Sequence, residues 1–148
     1  MLVKDIMTTN VITVKKEEKI ENAVKILMDN NFSGMPVVDD ENKVIGIITE
    51  GDLIYRSKKL RIPTFFTILD SYIFLESMKN LEKQIKKMVG YRVEDVMTAD
   101  VITITEDTTV EEIATIMTRK KINRVPVVKD GVLVGVVSRR DIIKAYAR

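Results

Sequence analysis

Two short stretches hold the residue types best suited to chemistry. Gly46-Ile47-Ile48-Thr49-Glu50-Gly51-Asp52 and Gly135-Val136-Val137-Ser138-Arg139-Arg140-Asp141 each end an apolar run with a hydroxyl residue and place an aspartate three positions later. That spacing supports two readings. In one, Thr49 and Ser138 cap a helix start and the aspartates favour its positive end. In the other, the helix start faces a polar ligand. The hydroxyl and backbone N–H groups then donate to a phosphate, and the carboxylate accepts two hydrogen bonds from a vicinal diol. Capping is the stronger reading of the spacing alone, and one residue can do both.

The elements that must position these residues come in duplicate. Val3-Lys4-Asp5-Ile6-Met7-Thr8 returns as Val93-Glu94-Asp95-Val96-Met97-Thr98, an offset of 90 residues (Val3 to Val93). Val11-Ile12-Thr13-Val14 returns as Val101-Ile102-Thr103-Ile104, and Met35-Pro36-Val37-Val38 as Val125-Pro126-Val127-Val128. Past the following turn the offset is 89 (Asp52 to Asp141), because the second copy has lost one turn residue. The β-branched run Val11–Val14 predicts a strand. A helix follows with Ile20, Ala23, Val24, Leu27 and Met28 on one face, matched by Val110, Ile113, Ala114 and Met117. Thr108 with Glu111 has the spacing of a capping box. Strands Met35–Val38 and Val125–Val128, each with a proline near its start, lead through turns into strands Val44–Ile48 and Val132–Val137. A closing helix begins near Asp52 or Asp141. The fold class is therefore α+β, two β-α-β-β-α units packed about a pseudo-twofold axis. Clefts on such an axis come in near-equivalent pairs. The expected domains are 1–56 and 92–148, with a helical insert at 57–91.

Composition bounds the function. The chain has 148 residues, 45% hydrophobic and 31% charged, enough to bury a core. Units of roughly 55 residues sit near the lower limit for independent folding, so each half should lean on the other. A formal net charge of +2 gives no bulk case for nucleic acid or membrane. The basic runs Lys58-Lys59-Leu60-Arg61 and Arg119-Lys120-Lys121 are short and read as solvated surface. Without cysteine or histidine, thiolate chemistry is excluded, the common general bases are missing, and a zinc site would need an all-carboxylate shell. The expectation is no enzyme and no metal. With no signal-like or membrane-spanning run, the expected location is the cytoplasm.

Within the insert, Phe74, Met78, Leu81, Ile85 and Met88 make an apolar seam from about Asp70 to Val89, ending at Gly90. It reads as a cover for the protein's own core or as a dimer contact. Phe65, Phe66 and Tyr72 read as packing residues or as a stack for a base from a partner subunit.

These motifs, twice over and in order, closely resemble the CBS domain, and the tandem pair resembles a Bateman module. The carriers are Asp5-Ile6-Met7-Thr8 and Asp95-Val96-Met97-Thr98, Pro36 and Pro126, and the two Gly-x-x-[Ser/Thr]-x-x-Asp endings. The resemblance covers Val3 to about Tyr55 and Val93 to about Tyr146. It implies regulatory binding of an adenosine-containing ligand: AMP, ADP or ATP, or S-adenosylmethionine or NAD. By that resemblance Asp52 and Asp141 hold ribose hydroxyls, and Thr49 and Ser138 lie near ribose and phosphate. Thr13 with Val14, Thr103 with Ile104, Met35 with Pro36, and Val125 with Pro126 sandwich the base. Arg124 and Arg139 match positions where relatives place a cation for phosphate. The first repeat has Gly34 and Glu50 instead, which predicts tighter phosphate binding in the cleft containing Asp141. The resemblance also implies a disc-shaped homodimer, a separate protein effector, and an output domain carried elsewhere. The alternative is a structural dimerisation module whose clefts stay empty.

Overall fold

A computed structural model describes residues 1–59 and 91–147. The expected insert helix from about Asp70 to Val89, with Phe65, Phe66 and Tyr72, lies outside the described residues. The first repeat contains α1 (Ile20–Asn30), β1 (Gly34–Val38), β2 (Val44–Thr49) and α2 (Glu50–Lys59). A short helix, α3 (Val93–Val96), opens the second repeat, followed by α4 (Val110–Lys120), β3 (Arg124–Lys129), β4 (Val132–Ser138) and α5 (Arg139–Tyr146). A single 3-10 turn at Val3–Asp5 is the first-repeat counterpart of α3.

Helix α1 buries Ile20, Ala23, Val24, Leu27 and Met28, the face that the spacing predicts. Helix α4 buries Val110, Ile113 and Met117, with Ala114 half-buried against the same core. Its cap lies one residue later than expected. Thr109 accepts from the Glu112 N–H and closes the box, while the Thr108 hydroxyl accepts from the Thr105 N–H. Helices α1 and α4 both end on a left-handed residue, Asn31 and Lys121.

Each repeat forms one antiparallel hairpin, β1–β2 and β3–β4, with an irregularity at Val37/Val38 and at Val127/Val128. The β3–β4 loop is Asp130-Gly131, both at positive φ, the requirement of a two-residue type I′ turn. The longer β1–β2 loop turns at Asn42 (φ 61), and Asp39 accepts the N–H groups of Glu41 and Lys43. This difference accounts for the lost residue. The expected opening strands are reduced to single bridges. Val11–Val14 and Val101–Ile104 form no strand, and only Val14 and Ile104 bridge, in parallel, to Val37 and Val127.

The two cores exchange their opening segments. Val93 and Val96 are fully buried in the core formed by α1, β1, β2 and Leu53, whereas Val3 is fully buried in the core of the second repeat. Residues 1–8, counted with the first repeat by sequence, thus pack on the second. The backbone pattern is reciprocal. Val93 N–H donates to Glu18 O and Val3 N–H to Thr108 O; Ile20 N–H donates to Tyr91 O and Val110 N–H to Met1 O. Neither core is complete without the other repeat's opening segment, which is how two small units share stability. A third cluster of Val38, Leu133 and Val136 joins the hairpins. Among the described residues, no helix is long and apolar enough to cross a membrane.

Candidate functional site

The exchange carries each opening motif to the other repeat's Gly-x-x-[Ser/Thr]-x-x-Asp ending. Thr98 pairs with Ile47 through two backbone hydrogen bonds of 2.9 Å, and Thr8 pairs with Val136 in the same way. Gly46 and Gly135 permit this approach. A Cβ on Gly46 would lie 2.8 Å from Met97 Sδ and 3.0 Å from Thr98 O; on Gly135 it would lie 2.7 Å from Met7 Sδ. Three residues of the motif then have a task at the junction. Asp5 and Asp95 accept the N–H groups of Leu2 and Arg92, the methionine covers the glycine, and the threonine reaches the aspartate.

Asp52 stands at that junction, in the first turn of α2. Its Oδ2 accepts the Thr49 N–H at 3.2 Å and the Thr49 hydroxyl at 3.0 Å, while its own N–H donates to Thr49 Oγ1 at 3.0 Å. Its Oδ1 accepts the Thr98 hydroxyl at 2.7 Å. Asp141 repeats the arrangement. Ser138 donates to Oδ2 through N–H (2.8 Å) and hydroxyl (3.0 Å), and Thr8 reaches Oδ1 at 3.5 Å. Capping is therefore real at both helix starts. At Asp52 it coexists with a cavity of about 370 Å³ that this half-buried carboxylate lines, within the range of small-ligand pockets. A carboxylate offers about four acceptor sites, and three are used here. Oδ1 keeps one, beside threonine hydroxyls that also accept.

The cavity's walls come from both repeats. Ser33, Gly34, Ile47, Thr49, Glu50, Gly51 and Asp52 face Thr98, Asp100, Val101, Ile102 and the stretch Lys121-Ile122-Asn123-Arg124. Its acidic groups cluster at the start of α2 and at Asp100, and its cations lie on the Lys121–Arg124 side. Three of the backbone N–H groups expected to cradle a phosphate are engaged. Those of Thr49 and Asp52 serve the capping box, and that of Glu50 donates to Ser33 O.

Other expected site residues are placed elsewhere. Val14 and Ile104 are 5% and 6% exposed and belong to the cores, because their bridges to β1 and β3 turn the side chains inward. Thr13 and Thr103 line separate outer grooves. Val101 and Ile102 reach the cavity in their place. Met35, Pro36, Val125 and Pro126 are buried, and Met35 and Val125 are core residues. At that level Gly34 and Arg124 line the cavity instead.

The two arginines are placed differently. Arg139 donates from its guanidinium to Asn123 Oδ1 at 3.0 Å and lines a groove between α4 and α5. Arg124 lines the Asp52 cavity, its Cζ 4.9 Å from the centre of the Phe32 ring. Burial pulls its pKa down, and the nearby Asp141 carboxylate pushes it back up. Arg124 is therefore not confined to the Asp141 side, although it stands opposite Ser138 in the β3–β4 ladder. Thr8 and Thr98 were missed as site residues, although their signal was present: a motif repeated intact whose final threonine has no local task.

Comparisons agree with this architecture. The protein MJ1426 of Methanocaldococcus jannaschii is 31% identical over 160 residues, an alignment covering 98% of this chain and 90% of that one. The chain spans only 41% of MJ1225 from the same organism and 62% of the chloroplastic CBS domain-containing protein CBSX2 of Arabidopsis thaliana. A crystal structure of CBSX2 in complex with AMP superposes with a TM-score of 0.74 at 27% identity, covering 99% of this chain and 96% of that one. The CBS domain pair of protein MJ0100, in complex with 5′-methylthioadenosine and S-adenosyl-L-methionine, gives 0.72 at 30% identity with the same coverage. The CBS domain description itself matches residues 3–59 and 93–148, so the chain belongs to the CBS domain family as a tandem pair.

Proposed function

We propose that this CBS pair is a regulatory module that binds an adenosine-containing ligand at Asp52, with a sibling site at Asp141, and signals to a separate protein. The observation that carries the reading is the Asp52 carboxylate, fixed by Thr49 and Thr98 yet facing a cavity walled by both repeats. Its free acceptor site and the neighbouring hydroxyl oxygens suit the two donors of a ribose. Ile47, Val101, Ile102 and Ile122 offer apolar walls to a base, and Lys121 and Arg124 can meet a phosphate. The role is binding rather than catalysis. Because the cavity joins the repeats, a ligand shifts their arrangement to the extent that it prefers one over another.

AMP, ADP and ATP are the first candidates, supported by the AMP complex of CBSX2. S-adenosylmethionine is the second reading, favoured by the MJ0100 complex, and NAD belongs in the same panel. A thermal-shift series with these five compounds tests the reading, since a ligand of the native state raises apparent stability. Stabilisation by one or more supports it; none at millimolar concentration leaves a structural module with empty clefts. Association into a homodimer is part of the same proposal, and light scattering on the eluted protein measures it.

A further inference from the structure

Arg124 has surroundings that join the two candidate sites. It lies directly opposite Ser138 in the β3–β4 ladder, beside the box that Ser138 forms with Asp141. Yet its guanidinium crosses to Phe32 of the first repeat and lines the Asp52 cavity. Among the described residues its Nε is buried without a hydrogen-bond partner. The matching position in the first repeat is Gly34, where an added Cβ would lie 2.9 Å from Thr49 Cγ2 and 3.0 Å from Ile48 O. A second cation cannot simply be placed there, and Arg139 is turned toward Asn123.

Resting on the adenosine-ligand reading, we propose that Arg124 is a cation shared by the two sites: a phosphorylated ligand binds first in the Asp52 cavity and thereby weakens binding of a second at Asp141. A phosphate in the cavity engages the guanidinium by paired, charge-assisted hydrogen bonds. Arg124 then no longer offsets the Asp141 charge and is not available to a second phosphate. The coupling is reciprocal, as any binding linkage must be. A nucleoside without phosphate does not compete for the cation. Lys121, also lining the cavity, adds attraction to the same site without the fork.

Titration calorimetry with AMP and with adenosine tests this on the full chain. In the wild type, AMP should bind in two steps separated by about tenfold, a typical coupling, and adenosine in steps closer together. In Arg124→Gln the AMP-over-adenosine preference of the first step should fall by about tenfold and the two AMP steps should converge. Arg124→Lys should be intermediate. Asp141→Asn should keep the tight AMP step and Asp52→Asn should lose it, with thermal melts verifying that each variant is folded. Equal AMP sites in the wild type, a split that survives Arg124→Gln, or a tight step lost in Asp141→Asn instead would overturn the proposal. AMP binding indifferent to Arg124 overturns this inference alone. Failure of wild type to bind either compound overturns the adenosine reading and this inference with it.

Discussion

Gly46→Ala should destabilise the chain by about 2–4 kcal/mol, and the close approach of the two repeats is the reason. The added methyl would sit 2.8 Å from Met97 Sδ, a flexible end that can swing aside, and 3.0 Å from Thr98 O, which is backbone. That oxygen accepts the Ile47 N–H at 2.9 Å, and the Thr98 N–H returns a bond of the same length to Ile47 O. Relief requires the Thr98 segment to withdraw. Overpacking of this kind costs about 1–3 kcal/mol, and loosening two hydrogen bonds adds about 1 kcal/mol each if they are lost. Urea unfolding followed by circular dichroism measures the loss, and the same change should lower Tm by roughly 5–15 °C. Gly51→Ala is the control. Its methyl meets only Thr49 Oγ1, at 3.6 Å, near the start of α2, so a gain of up to about 1 kcal/mol is expected. If Gly46→Ala stays within about 0.5 kcal/mol of wild type, the junction does not carry the weight assigned to it.

Val3→Ala should cost about 2–3 kcal/mol by removing buried methyls, and hydrogen exchange should rise in α4 and β4 more than in α1; the reverse distribution would contradict the exchanged cores. Thr109→Ala should cost about 1 kcal/mol through loss of the α4 cap, and more than Thr108→Ala, a comparison read by urea midpoints. The Asp39 carboxylate accepts the N–H of Lys43 and then of Glu41, and these bonds hold its pKa below 3.8. A depressed acid stabilises the fold above its unfolded value, so this contribution should persist above about pH 4 and fade as pH drops through the lower folded pKa. A carboxyl-carbon NMR titration with its Asp39 midpoint at or above 3.8 would contradict that.

Much of the local structure was legible because it is written in side-chain periodicity. The buried face of α1 and the turn chemistry of Asp130-Gly131 are decided by neighbours in sequence. The α4 cap was not, since Thr108-Thr109 is followed by Glu111-Glu112 and both registers satisfy the pattern; the bond from Thr105 to Thr108 settles it. The β-branched run Val11–Val14 fits a strand, but a strand needs a partner along its length, and the hairpin edge meets it only at Val14. The exchange of opening segments was hidden for a deeper reason. When two repeats carry the same motif, sequence cannot tell a contact within one repeat from the equivalent contact between them. That ambiguity also concealed Thr8 and Thr98, and it hid the reach of Arg124 into the Asp52 cavity.

The most direct test of the central claim, that the Asp52 carboxylate receives a sugar diol, compares AMP with 2′,3′-dideoxy-AMP by titration calorimetry. Wild type should prefer AMP by about tenfold or more at its tighter site, the worth of one or two hydrogen bonds to a charged acceptor, and Asp52→Ala should erase that preference. Equal affinities of the two compounds for the wild type, or a preference that survives Asp52→Ala, would contradict it.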